Sequence, residues 1–176
     1  MVAAVYAGAL AAALFATGSA SAQGYSLQTV GTFSPPTAHG KSSAVTYDQN
    51  LVPAGSRIRV HQRTEPNGVT TVELRVAGVK ANHAFGVHIH QKPCGADPAD
   101  AGKHYQNVPG TDTHHVNRDN EVWLDFKSGA AGTGHASATH SWAFRKGEAS
   151  SVVIHNEPGT AGSRVACFTV RFAGAS

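Results

Sequence analysis

His88 and His90, one residue apart in Ala84-Phe85-Gly86-Val87-His88-Ile89-His90, have the type and spacing to hold a metal ion. Residues i and i+2 of a strand point to the same face. Both imidazoles can therefore reach one ion, while Phe85, Val87 and Ile89 turn to the opposite, apolar side. Imidazole suits copper, zinc, iron or nickel, so the pair alone does not name the metal. Taken in isolation it describes two solvated side chains better than a site. Two further histidines reverse that reading. His104 lies in Gly102-Lys103-His104-Tyr105, and His155 ends the apolar run Val152-Val153-Ile154. With them the set reaches four nitrogens, which is what a tetragonal Cu(II) centre needs. Arg164-Val165-Ala166-Cys167 then puts a guanidinium and a cysteine at the start of the last expected strand.

The elements that must position these residues read as strands and turns. Ser56 to Arg63 alternates polar and apolar residues with period two. Glu65-Pro66-Asn67-Gly68 is a turn, because Asn-Gly accepts positive φ, and Thr70 to Val76 is its return strand. Ala44 to Asp48, Ala84 to His90, Glu121 to Lys127, His135 to Phe144, Ser151 to His155 and Arg164 to Phe172 complete the set. About eight short strands without a helical pattern predict an antiparallel sandwich or barrel. Gln91 to Asn120 is irregular and too long for an idle connection. It holds His104, His114 and His115, so a metal and a disulfide are expected to organise it.

Composition bounds the rest. The 176 residues suit one domain, and only 14% are charged, with 19 Gly and one Met, as in a loop-rich β protein. A net charge of +3 without a Lys/Arg run gives no nucleic-acid signature. A pI near 9.0 tilts the chain towards small anions or an acidic surface. Residues 1–22 read as an export signal: Val2 to Thr17 is apolar and uncharged, and Ala20-Ser21-Ala22 is a small-x-small cleavage site. The expected product is exported, whether secreted, periplasmic or held in the cell envelope, with no membrane span once the signal is removed. Residues 23–41, with Pro35-Pro36, read as a flexible tether, and 42–176 as the folded domain. Cys94 and Cys167 in an exported chain read first as one disulfide and second as two buried thiols.

Taken in order, these motifs resemble the copper/zinc superoxide dismutase family over roughly residues 44 to 172. They are Gly86 to His90, Cys94, Gly102-Lys103-His104-Tyr105, Ser151 to His155 and Gly162-Ser163-Arg164-Val165-Ala166-Cys167. The resemblance implies an eight-stranded antiparallel Greek-key β-sandwich or barrel. It implies that His88, His90, His104 and His155 bind copper, with His104 as the imidazole that bridges to zinc in two-metal members. Arg164 would hold the anionic substrate, superoxide, and Cys94 and Cys167 would form the disulfide. The family's activity converts superoxide to dioxygen and hydrogen peroxide by alternate reduction and reoxidation of copper, in monomers or homodimers.

Three departures point to the copper-only members. The span from Asn156 to Ser163 leaves no room for the family's charged steering loop, nor for the aspartate that loop contributes to link the metal ligands. Where the family's zinc aspartate follows the last loop histidine by three residues, His115-Val116-Asn117-Arg118 offers an arginine. Strand register instead places Glu121 near the vacated position, where it is expected to accept a hydrogen bond from His104. Zinc bound through His114 or His115 beside His104 is the alternative to two solvated loop histidines. The competing function on the same scaffold is an exported copper-binding or copper-delivery protein with little dismutase activity. His39, His61, His135 and His140 are expected at the surface, and Trp123 and Trp142 in packing.

Overall fold

A computed structural model describes residues 24–36 and 42–174. The expected export signal and His39 lie outside them. Nine strands form two antiparallel sheets: β1 (Tyr25–Thr32), β2 (Ala44–Thr46), β3 (Arg57–Thr64), β4 (Thr70–Ala77), β5 (Ala84–His90), β6 (Phe126–Lys127), β7 (Thr133–His140), β8 (Ser151–His155) and β9 (Arg164–Thr169). The first sheet runs β1-β3-β4-β7 and the second β2-β9-β8-β5-β6. After β5 and β6 are laid down in the second sheet, β7 returns to pair with β4 in the first, a Greek-key return. The sheets face each other as a sandwich and do not close into a barrel. The expected fold class holds, with nine strands in place of eight. Among the described residues no helix is long and apolar enough to cross a membrane.

The additional strand corrects the sequence reading. Residues 25–32, expected within the flexible tether, pair along their whole length with β3, from Tyr25↔Thr64 to Thr32↔Arg57. The apolar contrast that marks a strand is inverted here: Leu27, Thr29 and Gly31 face inward while Val30 is 62% exposed. Gly31 is small for a reason, because a Cβ there would strike the Phe168 ring of the opposite sheet. On β7 the inward positions are similarly Gly134, Ala136 and Ala138, and a Cβ on Gly134 would meet Phe126. Small residues at the two edges of the first sheet thus admit large aromatics from the second.

The core between the sheets is built by alternation. Ile58 and Val60 of β3 and Val72, Leu74 and Val76 of β4 meet Val87 and Ile89 of β5, Val152 and Ile154 of β8, and Phe168 of β9. Period two then leaves the other parity of the second sheet facing outward, and that outer face carries the histidines. Gln91 to Asn120 folds over it with two 3-10 turns, Pro98–Ala101 and Thr113–His115. His140 is buried rather than at the surface, stacked on Trp142 with ring centroids 4.3 Å apart.

Candidate metal centre

Register brings the four histidines together. On β5, Gly86, His88 and His90 share a face, and Gly86 pairs with His155 of β8. Directly paired residues of an antiparallel ladder point the same way, so His155 joins the β5 pair. His104 follows from an isolated antiparallel bridge to His90. Ligand nitrogens of all four lie within 4.8 Å of one another, a grouping of metal-binding size. A Cβ on Gly86 would collide with the Glu157 carbonyl, so glycine there lets the short 156–163 connection lie against β5.

Each imidazole is oriented by a partner behind it. His90 Nδ1 donates to the Gly102 carbonyl at 3.1 Å and His155 Nδ1 to that of Gly162 at 2.8 Å. His104 Nδ1 meets Glu121 Oε2 at 2.8 Å. These contacts occupy Nδ1 and leave Nε2 free on three rings. His88 is the reverse: its Nε2 lies 3.4 Å from Asp125 Oδ1, in poor alignment for a hydrogen bond. Nδ1 of His88 and Nε2 of His90 and His155 are buried without any partner. Buried polar atoms are normally paired, and several orphaned nitrogens converging on one point fit a metal ion. Burial, reinforced by the other imidazoles, holds His90 down to about 2 and His155 down to about 4, and burial lowers His88 as well. All three are therefore neutral at physiological pH, the state a metal ligand requires.

Glu121 sits where the sequence reading placed it. It is 1% exposed, and its carboxylate also accepts Gln106 Nε2 at 2.9 Å and Trp123 Nε1 at 3.0 Å. Burial pushes its pKa up, but the hydrogen bonds from His104, Gln106 and Trp123 outweigh that and hold it below the usual carboxylate range.

Asp125, which the sequence reading did not single out, lies beside His88 alone among the four histidines, so it does not take the place of the linking aspartate. Oδ1 accepts the Val87 amide at 2.9 Å beside His88, and Oδ2 lies 3.3 Å from Arg118 Nη2. The missed signal is again period two: Glu121, Trp123 and Asp125 face the site while Val122, Leu124 and Phe126 enter the core. Trp123, expected only to pack, forms an antiparallel bridge with His88, their rings 5.3 Å apart. Only Phe126–Lys127 of the strand expected over Glu121 to Lys127 is regular ladder.

His114 and His115 are not brought to His104. Their 3-10 turn leaves His114 exposed, and His115 Nδ1 pairs with Asp112 at 2.8 Å. Glu121 already occupies the second nitrogen of His104, the one a neighbouring zinc would need. Among the described residues, the only metal-sized grouping is the four-histidine one.

Arg164 pairs in register with His155 at a bulge in β8–β9. Its Nη1 donates to the Pro98 carbonyl at 2.8 Å and its Nη2 to Gly102 at 2.6 Å, the same carbonyl that orients His90. Cys94 and Cys167 are disulfide-bonded. The bridge fastens the stretch carrying Pro98 and Gly102 to β9, so it supports both Arg164 and His90.

No family model matches the chain, and no curated protein matches it. Among solved structures it is similar to a double mutant of a SOD-like protein from Bacillus subtilis, at 15% identity. That match covers 65% of this chain and 89% of the other, with a TM-score of 0.46.

Proposed function

We propose that the protein is an exported, copper-dependent superoxide dismutase that works without zinc. The observation that carries this reading is the convergence of four imidazoles, with three buried ring nitrogens left without partners, beside an arginine. His88, His90, His104 and His155 would hold the copper, which supplies reversible one-electron chemistry that zinc cannot. In the net reaction two superoxide anions and two protons give one dioxygen and one hydrogen peroxide.

The protein's part is binding, orientation and proton placement. Arg164 spends two of its five N–H donors on Pro98 and Gly102, which fixes the guanidinium beside His155 and His90. The remaining N–H groups are available to a small anion, as charge-assisted hydrogen bonds. Glu121 keeps the proton of His104 on Nδ1 and so presents Nε2 as a lone pair. Asp125 lies 3.4 Å behind His88 Nε2 as a nearby charge, without the hydrogen bond that Glu121 gives His104. With a connection of eight residues at Asn156–Ser163, little charged surface is left on that side to steer substrate.

The competing reading, copper storage or delivery, needs the ligands but not Arg164. Superoxide decay measured at equal copper occupancy separates the two. Decay is expected to scale with bound copper, and Arg164→Ala to slow it by about tenfold or more with copper affinity unchanged, as loss of an interaction to the reacting anion does. Tight copper binding with no superoxide decay in either protein would establish the carrier.

A further inference from the structure

The outer face of the first sheet, opposite the metal centre, carries a row of charge that the dismutase reading does not use. Register places Val30, Arg59, Arg75 and His135 side by side across all four strands, with Arg57 two residues from Arg59 on the same face. Arg59 and Arg75 are direct cross-strand partners, an arrangement of like charges that destabilises a sheet unless something else offsets it. No carboxylate side chain does so. Arg57, Arg59 and Arg75 take part in none of the ion pairs, and every Asp and Glu of the chain lies among the described residues. Glu73, on the same face, faces His61 at 3.8 Å. The three arginines line a groove of about 770 Å³, shared with Val30 and Thr32 of β1 and Ser43.

We propose that this groove binds a linear polyanion carrying closely spaced sulfate groups, such as a sulfated polysaccharide. Directly paired residues stand about 5 Å apart at Cβ, and alternate residues of a strand about 7 Å apart. Three guanidiniums at those spacings suit successive anionic groups on one chain, each able to take a bidentate contact. A single small anion would leave at least one arginine unused. A second copy of this chain is disfavoured, because two such faces would oppose arginine to arginine. The adjacent row is Gln28, His61, Glu73 and Ser137, and Val30 is a single large apolar side chain among the charges, which suits a hydrated polymer better than a lipid surface.

The test uses the copper-loaded protein and a fluorescent heparin hexasaccharide at several salt concentrations. The plot of log Kd against log salt is expected to have a slope of about 3, falling by about one for each arginine removed. The double variant Arg59→Ser/Arg75→Ser should weaken binding about tenfold or more at low salt and leave copper content and superoxide decay unchanged. Arg75→Ser alone should give the intermediate slope, so the experiment still reads if the double variant folds poorly. Unchanged binding in both variants would overturn the proposal. So would binding confined to phosphatidylserine-containing vesicles, or full competition by equimolar inorganic phosphate.

Discussion

Glu121→Ala is expected to lower superoxide turnover about tenfold to a hundredfold while copper still binds. The carboxylate touches no ligand position of the metal site; it fixes which nitrogen of His104 is free. Losing a partner that orients a metal-bound imidazole typically costs 10- to 100-fold in affinity or activity. Here activity should bear most of that cost, because His90 and His155 keep their own hydrogen bonds and His88 stays packed beside Trp123. The vacated pocket also strands Gln106 Nε2 and Trp123 Nε1, both of which donate to Glu121. A stability loss of about 1–3 kcal/mol should therefore accompany the change. Glu121→Gln separates the two effects, since its amide oxygen can still accept a hydrogen bond without the charge. If Gln restores melting temperature but not turnover, the charge on Glu121 matters; equal turnover in wild type and Ala would exclude any part for it. The copper spectrum of each variant checks that four nitrogens remain bound.

The metal-free protein should be acid-labile, and copper should protect it. His90 titrates near 2 and His155 near 4 in the fold, against about 6.5 for an unfolded chain. Below pH 6.5 the unfolded state therefore binds more protons, so stability falls as pH falls until the folded values are reached. Between pH 7 and 5 the loss is about 2 kcal/mol for each imidazole, or about 4 for the two. That is a large share of the 5–15 kcal/mol typical of a domain. Copper held by the native site alone would stabilise it by about 4 kcal/mol at free metal a thousandfold above Kd. Urea unfolding at pH 7 and 5, with and without copper, should show the metal-free protein far weaker at pH 5 and copper closing much of the gap. A pH-independent stability of the metal-free form would mean that these histidines are not buried neutral.

Most of the site was legible because period two governs it. The alternation that exposes His88 and His90 on one face of β5 also fixes the facing of Gln106, Glu121 and Trp123 through the bridges Gln106↔Glu121 and His88↔Trp123. Glu121 follows from this reasoning; Asp125, two steps further along the same alternation, lies beside His88 and was not singled out, because the aspartate considered was the one that goes with the family's longer loop. The β1 strand was illegible for a different reason. Its outward Val30 and inward Gly31 are set by the close approach of Phe168 from another sheet, which no local pattern reports. The edges of the long segment from Gln91 to Asn120 depend similarly on distant anchors, the Cys94–Cys167 bridge and the Arg164 contacts. His140 was misplaced because its shelter is the side of Trp142, on a segment after the strand ends.

The most direct test is the superoxide decay rate of the protein loaded with copper alone, then with zinc added, then with zinc alone. The account predicts fast decay with copper, no change on adding zinc, and none with zinc alone. It also predicts that His155→Ala abolishes the copper-dependent decay. A slow copper-only rate that zinc raises manyfold would contradict it, and would show a second metal acting where Glu121 now holds His104.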